Sequence, residues 1–359
     1  MLRRLSIPSL LASLVTLLLF SLCALFQINQ SDAAVTPTPI SETSLDPILI
    51  LFSDPGGPAS TTYRGGPDAL LAQAIDEARY SVDVAMYNMD LWSLRDALLR
   101  AHRRGVSVRM VTDSDNILER EIQELLDADI PVLGDRREPL MHHKFVVIDR
   151  LDVWTGSMNM TVSGAYRNDN NLVRIRSSEL AENYTREFEE MFLEDRFGAL
   201  SQRDTPHPQV NVQGISIEVF FSPDDDPERR ITELLLEAEQ SIDFMAFAFT
   251  SDAIADAMLA RFQAGVTVCG VIERGQAANA GSEYERLLQS GIDLRLDANE
   301  RNMHHKVIII DGAAVITGSY NFSRSAREFN DENVLVLHDA GLAERFLLEF
   351  NRIFEMAAP

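Results

Sequence analysis

Two octets of this chain share one composition: His142-His143-Lys144-Phe145-Val146-Val147-Ile148-Asp149 and His304-His305-Lys306-Val307-Ile308-Ile309-Ile310-Asp311. The chain holds only 7 histidines, so placing them twice in the same surroundings points to chemistry. An imidazole and an ammonium two apart on an extended strand project to one face. Gly156-Ser157-Met158-Asn159 and Gly318-Ser319-Tyr320-Asn321 follow at matching distances. Their glycines permit close backbone approach, and their serines and asparagines add neutral donors. Two copies facing each other meet the needs of a phosphodiester: a nucleophile, an opposed proton donor, and cations on the non-bridging oxygens. With two lysines stabilising the charge, this chemistry calls for no metal and no cofactor. Zinc is disfavoured, because the octets carry no thiolates and no carboxylate or histidine at ligand spacing. Plain buried strands with satisfied core histidines are the bland alternative, which suits a lone histidine better than this doubled pattern.

The elements that must hold these residues also come twice, at an offset of about 160 residues. Opening strands are expected at Ile48–Phe52 and Ile215–Phe221. Helices follow at Asp68–Ala78 and Ile231–Glu239, then strands at Ser81–Tyr87 and Ser241–Phe247. Second helices stop at Gly105 and Gly265. Strands Val106–Thr112 and Val266–Glu273 come next, then third helices at Ile117–Asp127 and Glu283–Gln289, the latter with Ser282-Xaa-Xaa-Glu285 read as a capping box. Each octet runs into a hairpin, the second turning at Asp311-Gly312. Strands Leu172–Ile175 and Val334–Leu337 and long helices Glu179–Phe197 and Leu342–Met356 complete each half. Alternating strand and helix at these lengths predict an α/β fold with sheets covered on both faces. The acidic run Asp224-Asp225-Asp226 reads as a solvated turn rather than a calcium loop. Met86, Tyr87, Phe244, Met245, Phe247 and Phe249 read as core, with Tyr87 and Phe249 at strand ends as candidates for a site.

The pattern His-Xaa-Lys-(Xaa)4-Asp followed by Gly-Ser-Xaa-Asn, present twice, resembles the phospholipase D superfamily over nearly the whole chain after its N-terminal segment. The resemblance implies two similar α/β-sandwich halves, each a mixed sheet flanked by helices, related by pseudo-two-fold symmetry with the site between them. It implies catalytic roles for His142, Lys144, Asp149, His304, Lys306 and Asp311, and substrate contacts from Ser157, Asn159, Ser319 and Asn321. It also implies a two-step transfer through a covalent phosphohistidine. Family members carry a downstream carboxylate that orients the motif histidine. Glu332 holds that position in the second half, and Asn170 holds it in the first. Since a carboxylate partner favours imidazolium, the expectation is that His304 is the protonated acid and His142 the neutral nucleophile, with Asp169 as a substitute for Asn170.

Composition sets the setting. Net charge is −23, from 55 acidic and 32 basic residues, which disfavours nucleic acid as a partner. Arg3 and Arg4 precede an apolar run from Leu10 to Ile28, so residues 1–33 read as a signal peptide or an uncleaved membrane anchor. The expected location is therefore exported or extracytoplasmic. Residues 34–47 read as a disordered spacer, 48–197 and 215–359 as the two repeats, and 198–214 as a linker. Two cysteines are too few for a disulfide framework. The reading is a phosphodiesterase acting on phospholipid headgroup esters at a membrane surface, a pseudo-dimer within one monomeric chain. Its rivals are a nuclease of the same superfamily and an inactive binding module on the same fold.

Overall fold

The computed structural model describes residues 46–357. The expected export segment and nearly all of the spacer lie outside the described residues. Among the described residues no helix is long and apolar enough to cross a membrane.

The first half forms a seven-stranded sheet from β1 (Ile48–Phe52), β2 (Ser81–Met86), β3 (Ser107–Thr112), β4 (Val132–Gly134), β5 (Lys144–Ile148), β6 (Asp152–Gly156) and β7 (Asn171–Arg176), in the order β1-β7-β6-β5-β2-β3-β4. Strands β2, β3 and β4 run parallel, and the other pairings are antiparallel. The second half repeats this. Its strands are β8 (Gln209–Val212), β9 (Ile215–Ser222), β10 (Ser241–Ala246), β11 (Thr267–Ile272), β12 (Asp293–Leu296), β13 (Lys306–Ile310), β14 (Ala314–Gly318) and β15 (Glu332–His338), ordered β12-β11-β10-β13-β14-β15-β9-β8. The expected mixed sheets flanked by helices are what the chain adopts. The stretch 198–214 also holds β8, which pairs with β9 as an edge hairpin.

The octets show why each sheet is covered twice. On β5, Phe145 and Val147 enter a core shared by both halves, while Val146 and Ile148 enter the outer core of the first half. On β13, Val307 and Ile309 join the shared core, and Ile308 and Ile310 join the outer core of the second half. A period of two on a strand wet on neither face makes every position apolar. The long helices Ser178–Glu194 and Ala340–Met356 supply much of the shared core through Tyr184, Phe188, Phe346 and Phe350.

Three local expectations are corrected. Ser282 does not form the expected box with Glu285: its hydroxyl accepts the Tyr284 N–H at 3.3 Å, and the helix begins at Tyr284 after Glu283. Helix Pro227–Glu237 begins four residues earlier than its apolar pattern suggested, because Pro227 is tolerated at the first turn. The acidic run ahead of it is not solvated throughout: Asp225 is buried and accepts from the Thr205 hydroxyl at 2.8 Å and the Phe221 N–H at 3.1 Å.

Candidate active site

Lys144 and Lys306 open β5 and β13, and they pair with Met86 and Ala246 at the C-terminal ends of β2 and β10. Ligand sites of α/β sheets form at such ends. The residue after each end packs edge-on against its motif histidine. Tyr87 lies 5.1 Å from the His142 ring and 5.2 Å from Lys144 Nζ. Phe247 lies 4.7 Å from both the His304 ring and Lys306 Nζ. Phe249, the other expected candidate, is instead buried core against Phe244 and Phe322. Aligning the two repeats at Ser81 and Ser241 would have matched Phe247 to Tyr87.

The hairpin turns bring the Gly-Ser segments back as expected. Gly156 and Gly318 have φ of 151° and 148°. A Cβ there would meet the carbonyl oxygens of Asn171 and Asn333 at 2.5 and 2.2 Å, so only glycine fits. Asp149 and Asp311, however, do not join the site, a correction to their expected catalytic role. They sit at the far ends of β5 and β13, some 15 Å along the strand by its rise. Asp149 accepts the backbone N–H groups of Arg79, Tyr80 and Ser81 at 2.7–3.1 Å. Asp311 does the same for Glu239, Gln240 and Ser241. Both carboxylates tie the hairpin turn to the start of the neighbouring strand.

The main correction concerns the histidine partners. The His142 N–H donates to the Asp331 carbonyl at 3.0 Å, and the His304 N–H donates to the Asp169 carbonyl at 2.8 Å. Each motif is thus bridged to the other half. The residues after Asp331 and Asp169 therefore face the opposite imidazole. Glu332 holds His142 Nδ1 with both oxygens at 2.8 Å, and Asn170 Oδ1 holds His304 Nδ1 at 2.9 Å. The carboxylate belongs to His142, not to His304. Asp169 does not stand in for Asn170, since its side chain is taken by Arg352 at 2.6 Å and Asn299 at 2.7 Å.

Tautomers follow from the acceptors. Asn170 Nδ2 donates to the Gly164 carbonyl and its Oδ1 accepts from Ser157 Oγ, so the oxygen faces His304. Both motif imidazoles therefore carry hydrogen on Nδ1 and keep the Nε2 lone pair free. Their neighbours take the opposite tautomer. Asn333 Oδ1 accepts from Thr155 and Tyr184, so its Nδ2 donates to His143 Nδ1 at 3.3 Å. His143 Nε2–H then reaches Glu187 at 2.9 Å. Asn171, His305 and Glu349 repeat this at 3.1 and 3.2 Å. His143 and His305 have no exposure at all, whereas His142 and His304 keep 6% and 7%, so only the latter can meet a ligand. Asn171, Asn333, Glu187 and Glu349 were missed in the sequence; their only signal was their matching place in the two repeats.

Electrostatics make the site anion-seeking. Each lysine gives one bond to its own motif carbonyl, at 2.8 Å for Lys144 and 2.9 Å for Lys306. Neither has a carboxylate ion pair among the described residues, although both are fully buried. Burial pushes Lys144 down to about 7 despite the fields of Glu332 and Asp113. Lys306 falls well below the ammonium range, by burial and then by Lys144. Both imidazoles are held well below their ordinary range by burial and by the two lysines. Each lysine is thus felt by both imidazoles, across the boundary between the halves. Glu332 is pushed up to about 7 by burial, against the pull of Lys144. Ser157 and Ser319 hydroxyls accept from the Asn171 and Asn333 N–H at 3.0 Å. Asn159 and Asn321 each leave a buried side-chain oxygen unpartnered; that oxygen is an acceptor, and only the NH2 groups of these amides could donate to a phosphate oxygen. Among the described residues no group of three or more His, Cys, Asp or Glu could hold a metal ion.

Comparison with known proteins agrees with this geometry. A family model described as "Cardiolipin synthase, PLD-like domain" matches residues 71–192 and 231–354. A human mitochondrial cardiolipin hydrolase is 38% identical over 130 residues, 36% of this chain and 52% of that protein. The phospholipase D of Rickettsia bellii is 33% identical over 165 residues, 44% of this chain and 78% of that protein. The chain spans little more than half the length of the cardiolipin hydrolases it matches. A solved phosphatidylserine synthase from Haemophilus influenzae shares the fold over 87% of each chain, with a TM-score of 0.62 at 13% identity. With both motifs intact, each bridged to the opposite half, and the family model matched in each half, the chain belongs to the phospholipase D superfamily.

Proposed function

We propose that this chain is a phosphodiesterase that hydrolyses phospholipid headgroup esters through a covalent phosphohistidine, without a divalent metal. The observation that carries it is the pair of ligand-accessible imidazoles with free Nε2 atoms beside two buried lysines that lack carboxylate partners. A phosphodiester monoanion between the ammoniums restores their charge. It also offsets the field that keeps the imidazoles neutral, so one of them can take up a proton.

The roles follow from how charge develops. A nucleophilic imidazole becomes cationic as it attacks, so the one backed by a carboxylate is favoured; that is His142 with Glu332. A general acid becomes neutral as it reacts, so an amide partner suits it; that is His304 with Asn170. The roles coincide with those expected from the sequence, but not for the reason given there, which placed the carboxylate on His304; here they rest on the charge each imidazole gains or loses as it reacts. His142 Nε2 attacks phosphorus, the bond to the leaving oxygen breaks, and His304 Nε2–H protonates that oxygen. A water then loses a proton to His304 and attacks phosphorus, the N–P bond breaks, and His142 returns to its neutral form. Lys144, Lys306 and the Asn159 and Asn321 amides stabilise the equatorial oxygens. A lipid substrate is supported by the net charge of −23 and by what the relatives are called. Location outside the cytoplasm is part of the same proposal.

The test offers the full chain, in EDTA, phosphatidylcholine vesicles and plasmid DNA side by side. Choline release without nicking is expected; nicking alone overturns the lipid reading, and inhibition by EDTA overturns the role of the lysines. With a labelled substrate, His304→Asn should accumulate label on His142. Label that survives His142→Asn reverses the roles.

A further inference from the structure

Each motif hangs from an aspartate of the opposite half. Asp169 accepts the His304 N–H on its carbonyl and gives its own N–H to the Asn302 carbonyl at 3.0 Å, a single bridge across Met303. Asp331 does the same across Met141, between His142 and the Leu140 carbonyl, at 3.0 Å on both sides. The next residue, Asn170 or Glu332, holds Nδ1 of that motif's first histidine. The one after, Asn171 or Asn333, holds Nδ1 of the second. Whatever fixes the two aspartates therefore fixes the aim of both reacting imidazoles.

Both aspartate side chains are buried, and an arginine from the other half holds each. Arg352, on the closing helix Ala340–Met356, donates to Asp169 at 2.6 Å while Asn299 takes the second oxygen. The same guanidinium donates to Glu349 at 2.7 and 2.8 Å, and Glu349 accepts from His305. Arg352 thus braces the His304-His305 pair from both ends. Asp331 is held by Arg137, from the loop before the first motif, and by the Gly198 N–H at 2.6 Å. Arg137 also donates to the Phe329 carbonyl at 3.0 Å. The two arginines are not copies of each other. At the spacing that relates His142 to His304, Arg137 falls on Asn299 and Arg352 falls on Glu190, which instead accepts the Gln202 N–H. Each half reaches the same contact by its own residue, so the contact is not a relic of duplication.

We propose that Arg352 and Arg137 are positioning residues: each locks the aspartate from which one motif hangs, and so aims His304 and His142 respectively. The separation of their effects rests on the roles given above, His142 as nucleophile and His304 as acid and then base. Neither arginine touches an imidazole; they act through Asp169-Asn170 and Asp331-Glu332. A shift of about 1 Å at a reacting group costs about 10² in rate. The two losses fall on different steps when the leaving group needs no proton. p-Nitrophenolate leaves as the anion, so forming the phosphoenzyme from its ester needs His142 but not His304 as acid. Breaking the phosphoenzyme needs His304 to take a proton from water.

The test uses the full chain and bis(p-nitrophenyl) phosphate, a reporter that does not depend on the natural substrate. Its kcat/KM reports formation of the phosphoenzyme, and a slow breakdown shows in kcat alone. Arg352→Gln should lower kcat by about ten- to a hundredfold with kcat/KM nearly unchanged. Its first turnover should appear as a burst of about one p-nitrophenolate per enzyme. Arg137→Gln should lower kcat and kcat/KM together and show no burst. Arg352→Lys should recover part of kcat, because a lysine can reach Asp169 but cannot also grip Glu349. Asn299→Ala, which loosens Asp169 and leaves the arginine in place, should repeat the Arg352→Gln pattern more weakly, and it serves if that variant does not fold. Arg120→Gln, which removes an exposed charge paired with Glu124, should change neither constant. One common fall of both constants in both variants, or no fall in either, overturns the positioning roles. The interchanged pattern, with Arg137→Gln sparing kcat/KM and Arg352→Gln lowering it, keeps the positioning and overturns the assignment of the two histidines. No turnover of the reporter by the wild type overturns the enzyme reading on which both stand.

Discussion

The two halves share seven matching strands and the same motif, yet they treat their acids differently. His142 has a carboxylate on Nδ1 and His304 an amide. Behind them, Glu349 is joined by Arg352 at 2.7 Å and falls to about 2. Glu187 has no arginine partner among the described residues: burial, then the charges of Asp225 and Asp204, lift it to about 8, and Glu187 in turn raises Glu190. On the proposed mechanism the copies do opposite things, one giving a pair of electrons and the other a proton, and the scaffold keeps the geometry while changing the charges.

Replacing the two Nδ1 partners should break that comparison most strongly. Glu332→Gln should lower kcat by about 10²–10⁴, by analogy with loss of the orienting carboxylate in a catalytic triad. Asn170→Ala should cost about tenfold. Equal losses, measured as single-turnover rates on one substrate, would mean that the carboxylate does not distinguish the roles. The lysines come next. Lys306→Met should abolish most turnover yet raise Tm by about 1–2 °C, since about 1 kcal/mol is worth roughly 2–4 °C at 150–250 residues and less in a longer chain. It removes a buried cation that Lys144 repels. Lys144→Met should gain less, because Glu332 and Asp113 favour that charge. Thermal melts of both variants with and without inorganic phosphate check this, and phosphate should stabilise only the wild type markedly.

The smallest effect is a pH dependence of opposite sign in the two halves. The folded Glu187 keeps its proton to higher pH than the unfolded chain, whose ordinary value is 4.5. Its contribution is complete below 4.5 and is lost as pH rises toward 8. Glu349 is depressed, so its contribution is present above 4.5 and is lost as pH falls toward 2. Glu187→Gln should thus raise Tm at pH 9 and change little at pH 4.5, whereas Glu349→Gln should lower Tm at pH 7 with an effect that shrinks in acid. Matching profiles for the two variants would remove the distinction.

Much of this was legible beforehand because it is local. The Val/Ile runs behind Lys144 and Lys306 are apolar at every position, which requires a strand covered on both sides, and the structure covers them. Gly156 and Gly318 were read as points of close approach, and their φ values and the carbonyls against them show why. Asp149 and Asp311 misled for the converse reason. A recurring residue was read as catalytic, although its position at the end of a strand already suited it to bind a turn. Ser282 shows the limit of a local motif, since the spacing of a capping box does not oblige the chain to start a helix there.

From the chain alone came the candidate reacting groups, their doubling and the two α/β halves, since scarcity, spacing and period two are properties of neighbours in sequence. Tertiary structure decided which acceptor meets which imidazole. The bridges from Asp331 to His142 and from Asp169 to His304 cross between the halves, and a residue's repeat says nothing of the partner it meets across an interface.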